Sequence, residues 1–132
     1  RLHELDLDDA DLDSAAVARL ARALAEHKAL KELILSRNDI NDRSAEALAA
    51  ALEKNSSLMT LDLQGAGLSE AAVCRIAGAA GKAPALRELS LSHNAVGHDG
   101  VRSLAAAVRG GKLRRLDLAS ARLCSEGISS LA

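Results

Sequence analysis

Leu58-Met-Thr-Leu61-Asp-Leu63-Gln-Gly-Ala-Gly-Leu68 is one copy of a pattern that runs the length of the chain. Leucine stands at its first, fourth and sixth positions and an aliphatic residue at its eleventh. The same positions read Leu2/Leu5/Leu7/Leu12, Leu30/Leu33/Leu35/Ile40, Leu86/Leu89/Leu91/Val96 and Leu113/Leu116/Leu118/Leu123. The first four copies open 28 residues apart, and the fifth opens 27 after the fourth. Five registers of four matching positions exclude coincidence. Such a period describes a solenoid, in which units stack because none can bury its apolar face alone.

The second half of each unit repeats as well. Its sixteenth, nineteenth, twenty-second and twenty-third positions read Val17/Leu20/Ala23/Leu24, Ala45/Leu48/Ala51/Leu52, Val73/Ile76/Ala79/Ala80, Val101/Leu104/Ala107/Val108 and Ile128/Leu131. That spacing is one face of a helix, whereas the leucines that open each unit alternate as a strand does. Helix starts are predicted at Asp13-Ser14, Asn41-Asp42 and Ser69-Glu70, where short polar side chains can accept from unpaired backbone N–H groups. Gly81 and Gly110-Gly111 predict helix exits closed by a left-handed residue.

With both halves in place, the chain resembles the ribonuclease-inhibitor class of leucine-rich repeats. That class includes ribonuclease inhibitors, the sensing domains of nucleotide-binding immune receptors and the activating protein of the Ran GTPase. The resemblance covers essentially all 132 residues, and Glu46-Ala-Leu-Ala-Ala-Ala-Leu-Glu-Lys-Asn55-Ser-Ser-Leu58 reads like a consensus unit. It implies an α/β leucine-rich-repeat solenoid: a horseshoe segment of five repeats, with a parallel β-sheet on the concave face and helices on the convex face. Function stays open, because one fold hosts many sites.

The ninth position departs from the class pattern. Where Asn or Cys is usual, this chain has Ala10, Asn38, Ala66, Asn94 and Ala121. An Asn there can satisfy backbone groups of neighbouring coils, and only alternate units carry one. The strands alternate too, with Leu-Asp-Leu in units one, three and five. The underlying repeat therefore reads as a 56-residue pair of units.

Residues 1–132 are expected to form a single domain with repeats starting near 2, 30, 58, 86 and 113. No cap is visible at either end, so the chain reads as a piece of a longer array whose open ends invite self-association. No apolar run approaches the roughly 18–20 residues that cross a bilayer, and no membrane partner is expected. Cys74 and Cys124 lie in different units and columns, which favours a reducing, cytoplasmic setting over a disulfide-capped secreted one. Phe, Trp and Tyr are absent and the net charge is −1, which argues against nucleic-acid binding by base stacking or by a basic footprint.

Motifs that would carry chemistry do not form. Asp9-Ala-Asp11-Leu-Asp13 begins like a calcium loop, but Ser14 and Leu20 stand where glycine and a bidentate acid are needed. Gly78-Ala-Ala-Gly81-Lys82-Ala83 lacks the first glycine and the final Ser/Thr of a phosphate-binding loop, and it follows a helix instead of opening one. Cys74 falls in a solvent-facing helix column and Cys124 at a helix start. His3, His27, His93 and His98 read as surface residues remote from both. No catalytic, cofactor-binding or metal-binding residue is assigned, and no cofactor is expected.

What remains is the concave face. If the fourth and sixth positions point inward, the third, fifth and seventh point outward. Those columns read Glu4/Glu32/Thr60/Glu88/Arg115, Asp6/Ile34/Asp62/Ser90/Asp117 and Asp8/Ser36/Gln64/Ser92/Ala119, seven acids against one base. Lys31, Arg87 and Arg114 line the neighbouring second column, and Arg115 is placed to pair with Glu88. Glu4, Asp6, Asp8, Glu32, Ile34, Asp62, Gln64, Glu88, Arg115 and Asp117 are the candidate contacts of a protein partner with a basic surface. The expected function is a non-catalytic protein–protein interaction module. The alternative is an enzyme regulator, either a ribonuclease-inhibitor-like blocker or a GTPase activator; the latter needs a base at the nucleotide, with Arg37 and Arg115 the available ones.

Overall fold

The computed structural model describes residues 2–110 and 112–121. Strands and helices alternate strictly: β1 (Glu4–Asp6), α1 (Ser14–Glu26), β2 (Glu32–Ile34), α2 (Asp42–Lys54), β3 (Thr60–Asp62), α3 (Glu70–Lys82), β4 (Glu88–Ser90), α4 (Gly97–Arg109) and β5 (Arg115–Asp117). The five strands form one parallel sheet in sequence order, and the helices pack in the same order behind it. This is the leucine-rich-repeat solenoid. Every strand is in the repeat's own register, with Leu5, Leu33, Leu61, Leu89 and Leu116 side by side. The positions assigned to a fifth helix, with Leu123, Cys124, Ile128 and Leu131, lie outside the described residues.

Hydrogen bonds to neighbouring coils recur at fixed positions. In units one to four the second-position carbonyl takes two N–H groups from the next coil, as His3 does from Lys31 (2.7 Å) and Glu32 (3.0 Å). After each strand the chain must turn sharply, and the eighth position is left-handed in all five units: Asp9, Arg37, Gly65, His93 and Ser120, with φ from 50° to 57°. The ninth position then alternates as the sequence does. Asn38 is buried; its amide donates to the carbonyls of Leu7 (2.8 Å), Leu35 (3.1 Å) and Ser36 (3.1 Å), and its oxygen accepts from Ala10 (3.1 Å) and Leu12 (3.2 Å). Asn94 repeats this with Leu63, Leu91, Ser92 and Leu68. One asparagine thus serves its own turn and that of the preceding alanine-bearing unit. At the ninth-position turn between units two and three the link is a backbone bond, Ile40 N–H to the Ala66 carbonyl at 2.9 Å.

The predicted helix starts are observed. Asp13, Asn41 and Ser69 accept from the N–H groups of Ala16 (2.8 Å), Ser44 (2.9 Å) and Ala72 (3.1 Å), which would otherwise lack partners. Helix α4 begins differently. Its N-cap is Val96 with no side-chain bond, followed by left-handed Gly97, where a Cβ would strike the Glu70 carboxylate.

The helix exits correct the sequence reading. Gly81 lies within α3, and Gly110 is right-handed with φ −63°. Helices α1, α2 and α3 end instead on extended residues, His27, Asn55 and Ala83. A left-handed cap reverses the chain, but here it must run straight into the next strand. Gly111 lies outside the described residues.

The core is a leucine ladder in front and a helix face behind. Leu33, Leu35, Leu61, Leu63, Leu89 and Leu91 are buried, while Leu5, Leu7, Leu116 and Leu118 of the outer units are partly so. Two of the expected helix-face residues, Ala23 and Val108, are exposed. A column the leucine periodicity does not mark is buried as well: Ala21, Ala49, Ala77 and Ala105.

Leu61→Ala or Leu89→Ala should cost about 2–5 kcal/mol, and Leu5→Ala or Leu116→Ala clearly less, as read by denaturant melts. Asn38→Ala should cost at least about 1–3 kcal/mol by orphaning buried backbone groups in two turns. Loss of amide-exchange protection in both units one and two would check that it bridges them.

Candidate protein-binding face

The third and fifth columns form the outward surface of the sheet. Register places Glu4 beside Glu32, Thr60 beside Glu88, and Glu88 beside Arg115. Like charges directly opposite on a sheet tend to destabilise it. No ion pair forms between Glu88 and Arg115; among the described residues the salt bridges are Arg37–Asp8 and Arg75–Glu46. A depression of about 190 Å³ opens at the middle of this face. Around it the structure brings together Glu32, Asp62, Gln64, Glu88, Arg115 and Asp117, with Thr60 and Ser90 between them and Leu61 and Leu89 lining its base. Glu4, Asp6, Asp8 and Ile34 lie outside it.

The fifth-column acids have a local cause. Asp6, Asp62 and Asp117 each accept from the N–H two residues on, those of Asp8 (3.0 Å), Gln64 (2.9 Å) and Ala119 (3.0 Å). An aspartate in this geometry makes an Asx-turn, closing the strand into the bend that follows. Their alternation is therefore the alternation of two turn designs. The seventh column does not face uniformly outward: Ser36 and Ser92 are buried, while Gln64 is exposed.

Asp8 is held at the turn. Arg37 reaches it with both Nε and a terminal nitrogen, and the Ser36 hydroxyl donates to it at 2.6 Å. These hydrogen bonds, Arg37's first, hold the Asp8 carboxyl down at about 2, and the carboxylate in turn raises the Arg37 guanidinium. Arg37, one of the bases considered for a GTPase activator, is thus committed to an ion pair.

Other polar residues were not singled out by the sequence. Asn55 and Ser57 are buried at the far end of the coils. The Asn55 amide donates to the carbonyls of Leu24 (2.6 Å) and His27 (2.9 Å), and its oxygen accepts from Ser57 and Leu58. His27, expected to be a plain surface residue, accepts from Leu30 N–H through Nδ1 at 3.0 Å. The signal was the position shared by His27 and Asn55 just past each helix. Among the described residues, no group of three or more His, Cys, Asp or Glu is arranged to hold a metal ion, and no helix is long and apolar enough to cross a membrane.

The depressed Asp8 value sets a pH window. Since it lies below the ordinary 3.8, the Asp8–Arg37 contribution is fully present above about pH 3.8 and is lost as pH falls through about 2. The stability difference between the parent and Asp8→Asn should be constant above that window and vanish below it. Paired melts from neutral pH downward would check this; a difference independent of pH would contradict it.

A family model described as Leucine Rich repeat matches residues 27–49 and 82–105. Comparison with curated proteins gives no match. Among solved structures, the chain is similar to a tropomodulin C-terminal domain from Caenorhabditis elegans: TM-score 0.84, 17% identity, 98% of this chain and 80% of that one covered. It is also similar to leiomodin-1 Actin-Binding Site 2, with TM-score 0.86, 18% identity and coverage of 97% and 75%. Likeness at that identity speaks to the fold. Together with the matched repeats and the register of all five strands, it shows that this chain has a leucine-rich-repeat fold.

Proposed function

We propose that the chain is a non-catalytic protein-interaction module that recruits a partner with a basic surface through its concave face. The observation that carries this is the third column. Glu32 and Glu88 flank the central depression and neither has an ion-pair partner among the described residues, although Arg115 stands next to Glu88 in register. Asp62 and Asp117 add charge beside them while serving their turns. One structural neighbour is described as an actin-binding site, so a similar fold serves protein recognition there. For the enzyme-regulator alternative, Arg37 is tied to Asp8 and only Arg115 stands among the concave columns.

Exposed carboxylates steer encounter more than they deepen the bound state, and salt screens them over a Debye length of about 8 Å at physiological ionic strength. Glu32→Lys/Glu88→Lys should slow association with a fluorescent helical peptide rich in Lys and Arg by about ten-fold or more at low salt, with unchanged melting. Asp62→Asn keeps the oxygen that accepts from Gln64 and should give a smaller loss without disturbing the turn. Glu26→Lys/Glu53→Lys on the helices makes the same change in net charge and should have little effect. Stopped-flow rates across a salt series would test this. Equal losses for both charge reversals would leave only net charge at work and overturn the reading.

A further inference from the structure

The helices carry a second feature, independent of the concave face. Between α1 and α2 the convex surface is hollowed by two depressions of about 250 and 310 Å³ that share Ala18, Arg22 and Ala47, and so form one trough. It runs from Arg43 at one end to Lys54 at the other, about 17 Å of helix at 1.5 Å per residue. The next seam shows why it is open. Glu46 and Arg75 stand 28 residues on from Ala18 and Ala47, and they reach across the α2–α3 seam in a salt bridge of 3.8 Å. Alanine at both positions leaves the α1–α2 seam uncovered.

Charge is sorted across α2. Asp42 turns toward α3, where it accepts from the Ser69 hydroxyl, and Glu46 meets Arg75. Arg43 and Lys54 line the trough with Arg22 from α1, and none of these three forms a salt bridge among the described residues. No acid among the described residues lines it. Ser44, beside Arg43 in the wider end, is only 1% exposed and its hydroxyl has no hydrogen-bond partner. Its column is otherwise Ala16, Ala72 and Gly100, so packing there requires no hydroxyl. A buried hydroxyl without a partner carries a desolvation cost that a ligand's acceptor would relieve.

We propose that this trough docks an acidic segment of a partner protein. Its carboxylates lie against Arg22, Arg43 and Lys54, its small apolar side chains fill the space over Ala18 and Ala47, and an oxygen accepts from Ser44. The probe is a fluorescein-labelled helical peptide of Glu, Ala and Leu, titrated by anisotropy against the full chain. Arg22→Glu/Arg43→Glu should weaken binding at least about ten-fold. Ala18→Glu/Ala47→Arg, which rebuilds the closure of the next seam at unchanged net charge, should weaken it as much with melting preserved. Lys82→Glu/Arg102→Glu, an equal charge change elsewhere on the helices, should leave it within about two-fold. Ser44→Ala should weaken binding while leaving stability equal or raised. The proposal is overturned if the peptide does not bind, if closing the trough leaves affinity intact, if Ser44→Ala lowers stability without touching affinity, or if anionic phospholipid vesicles bind and the peptide does not.

Discussion

A coil of this solenoid is too thin to satisfy its own backbone. The ninth position of its inner turns is buried between neighbours, so an amide or carbonyl there must find a partner in its own coil or the next, or remain unpaired at a cost of about 1–3 kcal/mol. Asn38 and Asn94 supply those partners for two turns each. At the opposite end of the coils, Asn55 and Ser57 do the same for the carbonyls that close α1. Leucine burial supplies the driving force, but these few polar side chains fix where one coil stands on the next. The leucines set the register of the strands, and these side chains satisfy the turns that follow it.

The pairing of units follows from that constraint. A coil contacted by an asparagine from its neighbour can carry alanine at its own ninth position, and Ala66 does so with its carbonyl accepting from Ile40. Units one and three then bend through an extra left-handed residue, Asp11 and Gly67. The same units carry the aspartates that close the strand end. Three alternations along the sequence are thus one alternation of turn geometry. Part of the acidity of the concave face is its by-product, which is why the third-column glutamates, without such a role, weigh more in the proposed function than the fifth-column aspartates.

The sequence by itself determined the fold. A 28-residue period with strand spacing in one half and helix spacing in the other admits no other arrangement, and inward leucines at fixed offsets leave no freedom of register. It also determined the helix starts at Asp13, Asn41 and Ser69, because capping is local chemistry within four residues. Only the tertiary structure decided what depended on a neighbouring coil. The exits of α1, α2 and α3 turned extended and Gly110 stayed right-handed, against the left-handed caps expected from Gly81 and Gly110, because the next strand dictates the direction of the chain there. Arg37, which adjoins the concave columns in sequence, is bound to Asp8, 29 residues away, because one coil stacks that turn over the other. The trough at Ala18 and Ala47 was equally invisible, since an alanine on a helix reads as packing until the opposite helix is seen to carry an alanine as well.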